Sequence, residues 1–297
     1  MKKNILVTGS HRSGSTWTGK VIEQAPKVRY VQEPFNIAMT RKYTPLKYWF
    51  QHISNTSTSL QKKGAKKYLN SFLHILHVYT IYRLLDVSSI KGVYYFLGDL
   101  IKRLTYRTII KDPIAIMSVE WIYNNYNIDV VVLIRHPAAF IASLKVKNWE
   151  FDFNNFLNQP LLLNSYLKQY KDAILIYSNN QKDIIDQGIL LWNIIHQTIF
   201  LYQKKYKEDW YFVKHEDLST NPMVEFNKMF AKLNLTVDSN VINYINETTK
   251  SNKKSELKRN SKENIKSWKQ RLSEDEIQQI KIGTEKVWKK FYTENDW

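Results

Sequence analysis

The stretch Ile5-Leu6-Val7-Thr8-Gly9-Ser10-His11-Arg12-Ser13-Gly14-Ser15-Thr16-Trp17 decides how the rest of the chain is read. An apolar run feeds a Gly/Ser-rich turn carrying an arginine, and apolar periodicity then resumes. That order predicts a strand, a phosphate-cradling loop and a helix. In such a turn the backbone N–H groups from Arg12 to Thr16 converge, and the positive end of the helix dipole favours an anion there. A phosphorylated ligand is the expected occupant.

The spacing Gly9-x-x-x-x-Gly14-Ser15-Thr16 is that of a Walker A loop, except that Ser15 stands where the motif requires lysine. A nucleoside triphosphatase uses that lysine to reach the terminal phosphates and the next hydroxyl to hold Mg²⁺. A loop without it suits a ligand with fewer phosphates and no metal. Arg12 supplies charge from inside the turn, and its planar guanidinium can hold phosphate or sulfate through two donors.

Working outward, Val28 to Gln32 alternates as a second strand and stops at Glu33-Pro34, where proline forces Glu33 out of helical geometry. Thr108 to Lys111 is a short strand ending at Asp112-Pro113. Asp129 to Ile134 carries an unbroken Val-Val-Val-Leu-Ile run after its aspartate, as expected of a central parallel strand, and is followed at once by Arg135-His136-Pro137. Trp210 to Val213 is a further strand, closed by Lys214-His215-Glu216-Asp217. Helical patterns separate these runs, which predicts an α/β fold: a doubly wound parallel sheet with helices on both faces and ligands at the strands' carboxyl ends. Thr40 to Leu104 is helix-rich and aromatic, and reads as an insertion over that edge, on the acceptor side. No repeat or linker divides residues 1–297, so one domain is expected.

The 297 residues contain no cysteine, which excludes disulfides, zinc–thiolate sites and thiol nucleophiles. The formal net charge of +17 attracts polyanions, nucleotides and acidic membranes without choosing among them. Many lysines fall among asparagines and isoleucines, a compositional bias, so the charge alone is a weak guide. Only Ile5-Leu6-Val7 follows the opening lysines, too short for a secretory signal, and a cytoplasmic protein is expected. The apolar stretch Tyr68 to Tyr82 is shorter than a membrane span and is expected as a buried or interfacial helix. Aromatic and basic residues alternate from Tyr68 to Arg107, a composition compatible with peripheral membrane contact. His74 and His77 have no third ligand in pattern and do not predict a metal site.

Arg12-Ser13-Gly14-Ser15-Thr16-Trp17 resembles the 5′-phosphosulfate loop of sulfotransferases, whose usual form is [KR]-S-G-[ST]-[ST]. The resemblance implies a relative of the P-loop kinase fold that uses 3′-phosphoadenosine 5′-phosphosulfate (PAPS) and needs no metal. Arg135, closing a strand, and Ser143, about two helical turns later, are similar to the family's 3′-phosphate site. Lys258-Arg259-Asn260-Ser261 through Trp268-Lys269, with Leu272 beyond, is similar to the C-terminal R-N-S…W-[RK]-x-x-L stretch of carbohydrate sulfotransferases, a basic loop over the nucleotide. Trp268 is expected to anchor its return to the core.

Glu33-Pro34-Phe35 matches the E-P-[LF] of the carbohydrate branch, where the resemblance makes Glu33 the base. Nearby cations depress a carboxyl pKa, so burial beside aromatics is needed to offset them. The alternative is an N-cap or a structural ion pair with Arg12 or Arg41. The cytosolic branch has K-T-H where this chain has Lys111-Asp112-Pro113, so its histidine is missing. Lys111 is then expected as a cation beside the bridging oxygen, and Asp112 as an orienting group or reserve base. Arg12 would neutralise charge on the leaving phosphate. His215-Glu216-Asp217-Leu218 resembles a structural strand end of the family. Trp149 and Trp192 are read as core and His11 is given no role.

These motifs imply a sulfotransferase acting on a hydroxylated acceptor, a glycan or glycolipid, and no nucleic acid. Two other readings remain open at this point. A kinase-like enzyme predicts Mg²⁺-dependent ATP binding, and a basic polyanion-binding module predicts steep salt dependence without preference for a 3′-phosphate.

Overall fold

A computed structural model describes residues 3–39, 44–74, 80, 83–180, 182–249 and 265–297. Strand β1 (Asn4–Gly9) has Ile5, Leu6 and Val7 fully buried, because helices cover both faces of the sheet. It is flanked by β3 (Arg107–Lys111) and β4 (Ile128–Ile134), with β2 (Val28–Gln32) outside β3 and β5 (Tyr211–Lys214) outside β4. All pairings are parallel, giving the order β2-β3-β1-β4-β5. The expected doubly wound sheet is present, with strand limits shifted by a residue or so.

Helix α1 (Ser15–Glu23) leads from β1 across β3 to the edge strand β2, whereas β4 leads outward to β5 through α5 (Pro137–Lys147) and α6 (Ile184–Tyr206). The chain therefore leaves β1 and β4 in opposite directions. Between their carboxyl ends lies the crevice in which open α/β sheets bind ligands.

Side-chain alternation divides the core. Ile5, Val7, Val131 and Leu133 face α1 together with Phe226, Met229, Val241 and Ile245. Leu6, Val130, Val132 and Ile134 face the larger cluster that includes Phe140, Trp192 and Trp288. Helix α6 is the one described helix long and apolar enough to cross a membrane, but most of it is buried as a core helix.

The region read as one insertion divides in two. Phe50 packs against His11 at the carboxyl edge, and the Ile53 amide donates to Ser118 Oγ at 2.9 Å. By contrast, α2 (Ser59–Leu73) and α3 (Ile90–Thr105) meet Arg29 near the start of β2. The stretch from Tyr68 is also not one helix: Thr58 caps α2 at an earlier start, and His74 is extended. The capping box, invisible to apolar periodicity, sets that start.

Three buried histidines have consequences for stability. Burial pushes His11, His136 and His196 down to about 3; Arg12 assists at His11. All three are neutral in the folded protein at neutral pH. As pH falls below the ordinary value of 6.5, the unfolded chain binds protons that the folded chain refuses, so stability declines between 6.5 and 3. Three such groups cost on the order of 4 kcal/mol together at about pH 5.5 relative to about pH 7.5. Urea unfolding at the two pH values tests this, and equal stabilities would contradict it.

Candidate active site

The loop after β1 is shaped by left-handed backbone at Arg12 (φ 62°) and Gly14 (φ 87°). Ser13, fully buried, donates from Oγ to the Ser10 carbonyl at 2.6 Å and closes the turn, so its side chain serves the loop. Gly14 is the N-cap of α1 and brings no side-chain cap, and the first turn has no acidic residue. The helix N-terminus thus keeps donors and dipole for an anion. A Cβ on Gly14 would stand 2.4 Å from Nδ1 of His215, so the start of α7 (His215–Thr220) packs directly on the loop. Ser15, in the lysine position, is buried, while Thr16 is exposed. Trp17 packs edge-on against Phe226 and donates its indole N–H to Thr248 Oγ1 at 3.0 Å, which makes it an anchor between α1 and α9 (Ser239–Thr249).

The structure joins the two anion-binding motifs. Arg12 Nε donates to Ser143 Oγ at 2.8 Å, and Arg135 Nη1 donates to the Arg12 carbonyl. The loop arginine crosses to α5, so that Arg12, Arg135 and Ser143, which belong to two separate sequence motifs, form one cluster.

Arg135 is also held at both of its backbone groups. Its carbonyl accepts the Trp192 indole N–H at 2.9 Å, and its amide meets Nε2 of His196 at 3.4 Å. His196 donates from Nδ1 to the Trp192 carbonyl at 3.0 Å, which fixes Nε2 as acceptor. Trp192 is fully buried, as expected of a core residue, and His11 sits among Phe50, Phe140 and Trp149.

At the end of β2, Glu33 adopts φ 43°, an uncommon conformation for a residue with a side chain. Register places Gln32 opposite Lys111, and the Glu33 amide donates to the Lys111 carbonyl at 2.8 Å. Lys111 Nζ donates to Glu33 Oε1, and Asn36 Nδ2 donates to Oε2 at 2.6 Å. The ion pair of Glu33 in the structure is therefore with Lys111, not with Arg12; Arg41 lies outside the described residues. Lys111 is almost wholly buried, and its stem passes Gly19 of α1, where a Cβ would stand 3.1 Å from Lys111 Cγ. Fully buried Asp112 accepts the Phe35 amide on Oδ2, which anchors the Glu33-Pro34-Phe35 turn.

Behind Arg135, half-buried Glu216 accepts the His136 amide at 3.1 Å and the Tyr292 hydroxyl at 2.9 Å. Burial raises its pKa and the His136 bond opposes that shift. Trp268 is buried and stacked on His136, the expected anchor for the C-terminal return. Lys258, Arg259 and Asn260 lie outside the described residues, as does His77. Among the described residues no group of histidine and acidic side chains could hold a metal. Sequence reading missed three positioning residues, His215, His196 and the Trp192 indole; only His215, at a strand end, carried a signal there.

A family model described as the sulfotransferase family matches residues 4–239. No curated protein sequence matches the chain. Among solved structures, the sulfotransferase domain from the curacin biosynthetic pathway is similar over 95% of this chain and 97% of its own, at 16% identity and a TM-score of 0.53. A mouse sulfotransferase, SULT7A1, complexed with PAP aligns over 100% of this chain and 87% of its own, at 11% identity and a TM-score of 0.46. The match over most of the chain, on a parallel sheet with its phosphate-type loop at the strand switch, establishes that the chain belongs to the sulfotransferase family.

Proposed function

We propose that the chain transfers a sulfuryl group from PAPS to a hydroxyl of a glycan or glycolipid, with Glu33 as the base. The observation that carries this reading is the convergence of Arg12, Arg135 and Ser143 beside the uncapped N-terminus of α1, on the edge that also carries the Glu33–Lys111 pair. Two guanidinium groups, a hydroxyl and a helix N-terminus fit a ligand with two separate anionic groups. When bound, PAPS supplies an activated sulfuryl group on a 3′,5′-bisphosphoadenosine leaving group.

Arg12 and the α1 amides hold the anionic end of the donor and stabilise charge developing there. An arginine cannot readily give up a proton, so this role is electrostatic. Arg135 and Ser143 hold the 3′-phosphate, with Arg135 fixed by Trp192 and His196. Glu33 takes the proton from the acceptor hydroxyl on its carboxylate, whose orientation Lys111 and Asn36 fix. The glycan or glycolipid assignment rests on the resemblance of Glu33-Pro34-Phe35 to the glutamate-base branch and on Pro113 standing where the other branch has its histidine.

Arg135→Ala tests the assignment by calorimetry. Affinity for 3′,5′-bisphosphoadenosine is expected to fall about 10- to 100-fold, and affinity for 5′-AMP to change little. Equal losses for the two nucleotides would remove Arg135 from the 3′-phosphate.

A further inference from the structure

Helix α3 is amphipathic in the reverse sense. Ile90, Val93, Tyr94, Leu97, Ile101 and Leu104 fall within about 100° of its circumference at 3.6 residues per turn. All six are exposed, with Ile90, Tyr94, Ile101 and Leu104 between 68% and 91% exposed. The opposite side carries Asp99 and Arg103 and faces inward: Asp99 pairs with Arg29 of β2 at 2.8 Å and with Arg103 at 2.8 Å. Arg103 Nη1 donates to the Ser71 carbonyl at the end of α2 at 2.6 Å, and Arg29 Nη1 donates to Thr108 Oγ1 at 2.6 Å. This buried polar cluster fixes the rotation of the helix, so its apolar stripe is held outward. Surface helices of soluble domains normally turn such a stripe to the core.

We infer that this face of α3 docks on an anionic lipid surface. Charge selects that occupant over a second copy of the chain. The only acidic residue of α3 is Asp99, which the cluster engages, while Lys91 and Lys102 are exposed beside the stripe. Two copies packed along the stripe would bring lysines together with no acid on the helix to answer them. An acidic headgroup layer answers both lysines, Tyr94 of the stripe suits its interfacial depth, and the net charge of +17 draws the protein towards it. The inference is independent of the donor and the acceptor.

Vesicle sedimentation of the full chain tests it, with phosphatidylcholine alone and with phosphatidylserine added. Binding is expected only with phosphatidylserine, to weaken with salt, and to fall about tenfold or more in Leu97→Asp/Ile101→Asp. Because the chain lacks cysteine, Leu97→Cys carrying an environment-sensitive fluorophore gives a second readout, an expected blue shift on adding the same vesicles. No binding by the unaltered chain, equal binding by the double variant, or no shift of the probe would overturn the proposal. Concentration-dependent dimerisation that the double variant abolishes, without lipid binding, would assign the face to a second copy.

Discussion

Glu33→Gln is expected to lower turnover by about 10²- to 10⁴-fold, the range for loss of a positioned general base, and to leave affinity for 3′,5′-bisphosphoadenosine nearly unchanged. The carboxamide keeps the size of the side chain and its oxygen still accepts from Lys111, but it cannot take up the acceptor's proton. Lys111 then loses its charge partner while remaining almost wholly buried, so a loss of thermal stability accompanies the substitution. Nucleotide affinity separates the two effects, since the phosphate loop does not hydrogen-bond to Glu33. Near-normal turnover would disqualify Glu33 as the base. Loss of nucleotide binding in proportion to rate would make the Glu33–Lys111 pair a structural strut.

Arg12→Ala removes the guanidinium that reaches Ser143 and the charge nearest the loop's anion site. Turnover is expected to fall about 10²- to 10³-fold and bisphosphate affinity about tenfold, because the charge matters more as the leaving group separates than in the ground state. Arg12→Lys restores a point charge without the planar fork, so partial recovery is expected. Retention of both affinity and rate in Arg12→Ala would undo the phosphosulfate-loop assignment.

Both predictions concern residues that sequence alone brought forward, and the reason is topological. In a parallel sheet every strand delivers its last residues to one edge, so motifs at strand ends share a site without knowledge of strand order. Glu33, Lys111 and Arg135 were legible for that reason. The pairing of Glu33 with Lys111 was not, because it follows from β2 lying beside β3 in a register that sets Gln32 opposite Lys111. The contact of Arg12 with Ser143 was hidden because it depends on left-handed backbone at Arg12. The supports of Arg135 come from Trp192 and His196, one turn apart on a helix more than fifty residues away, with a pattern indistinguishable from ordinary core. Likewise, Thr40 to Leu104 was legible as helix-rich but not divisible into helices by period, and which way α3 faces rests on Arg29, a β2 residue, reaching Asp99.

The most direct measurement is calorimetric titration of the full chain with 3′,5′-bisphosphoadenosine, 5′-AMP and ATP, with and without Mg²⁺. Metal-independent preference for the bisphosphate is the predicted result. Preference for ATP with Mg²⁺, or no binding of any of the three nucleotides, would contradict use of PAPS by this site.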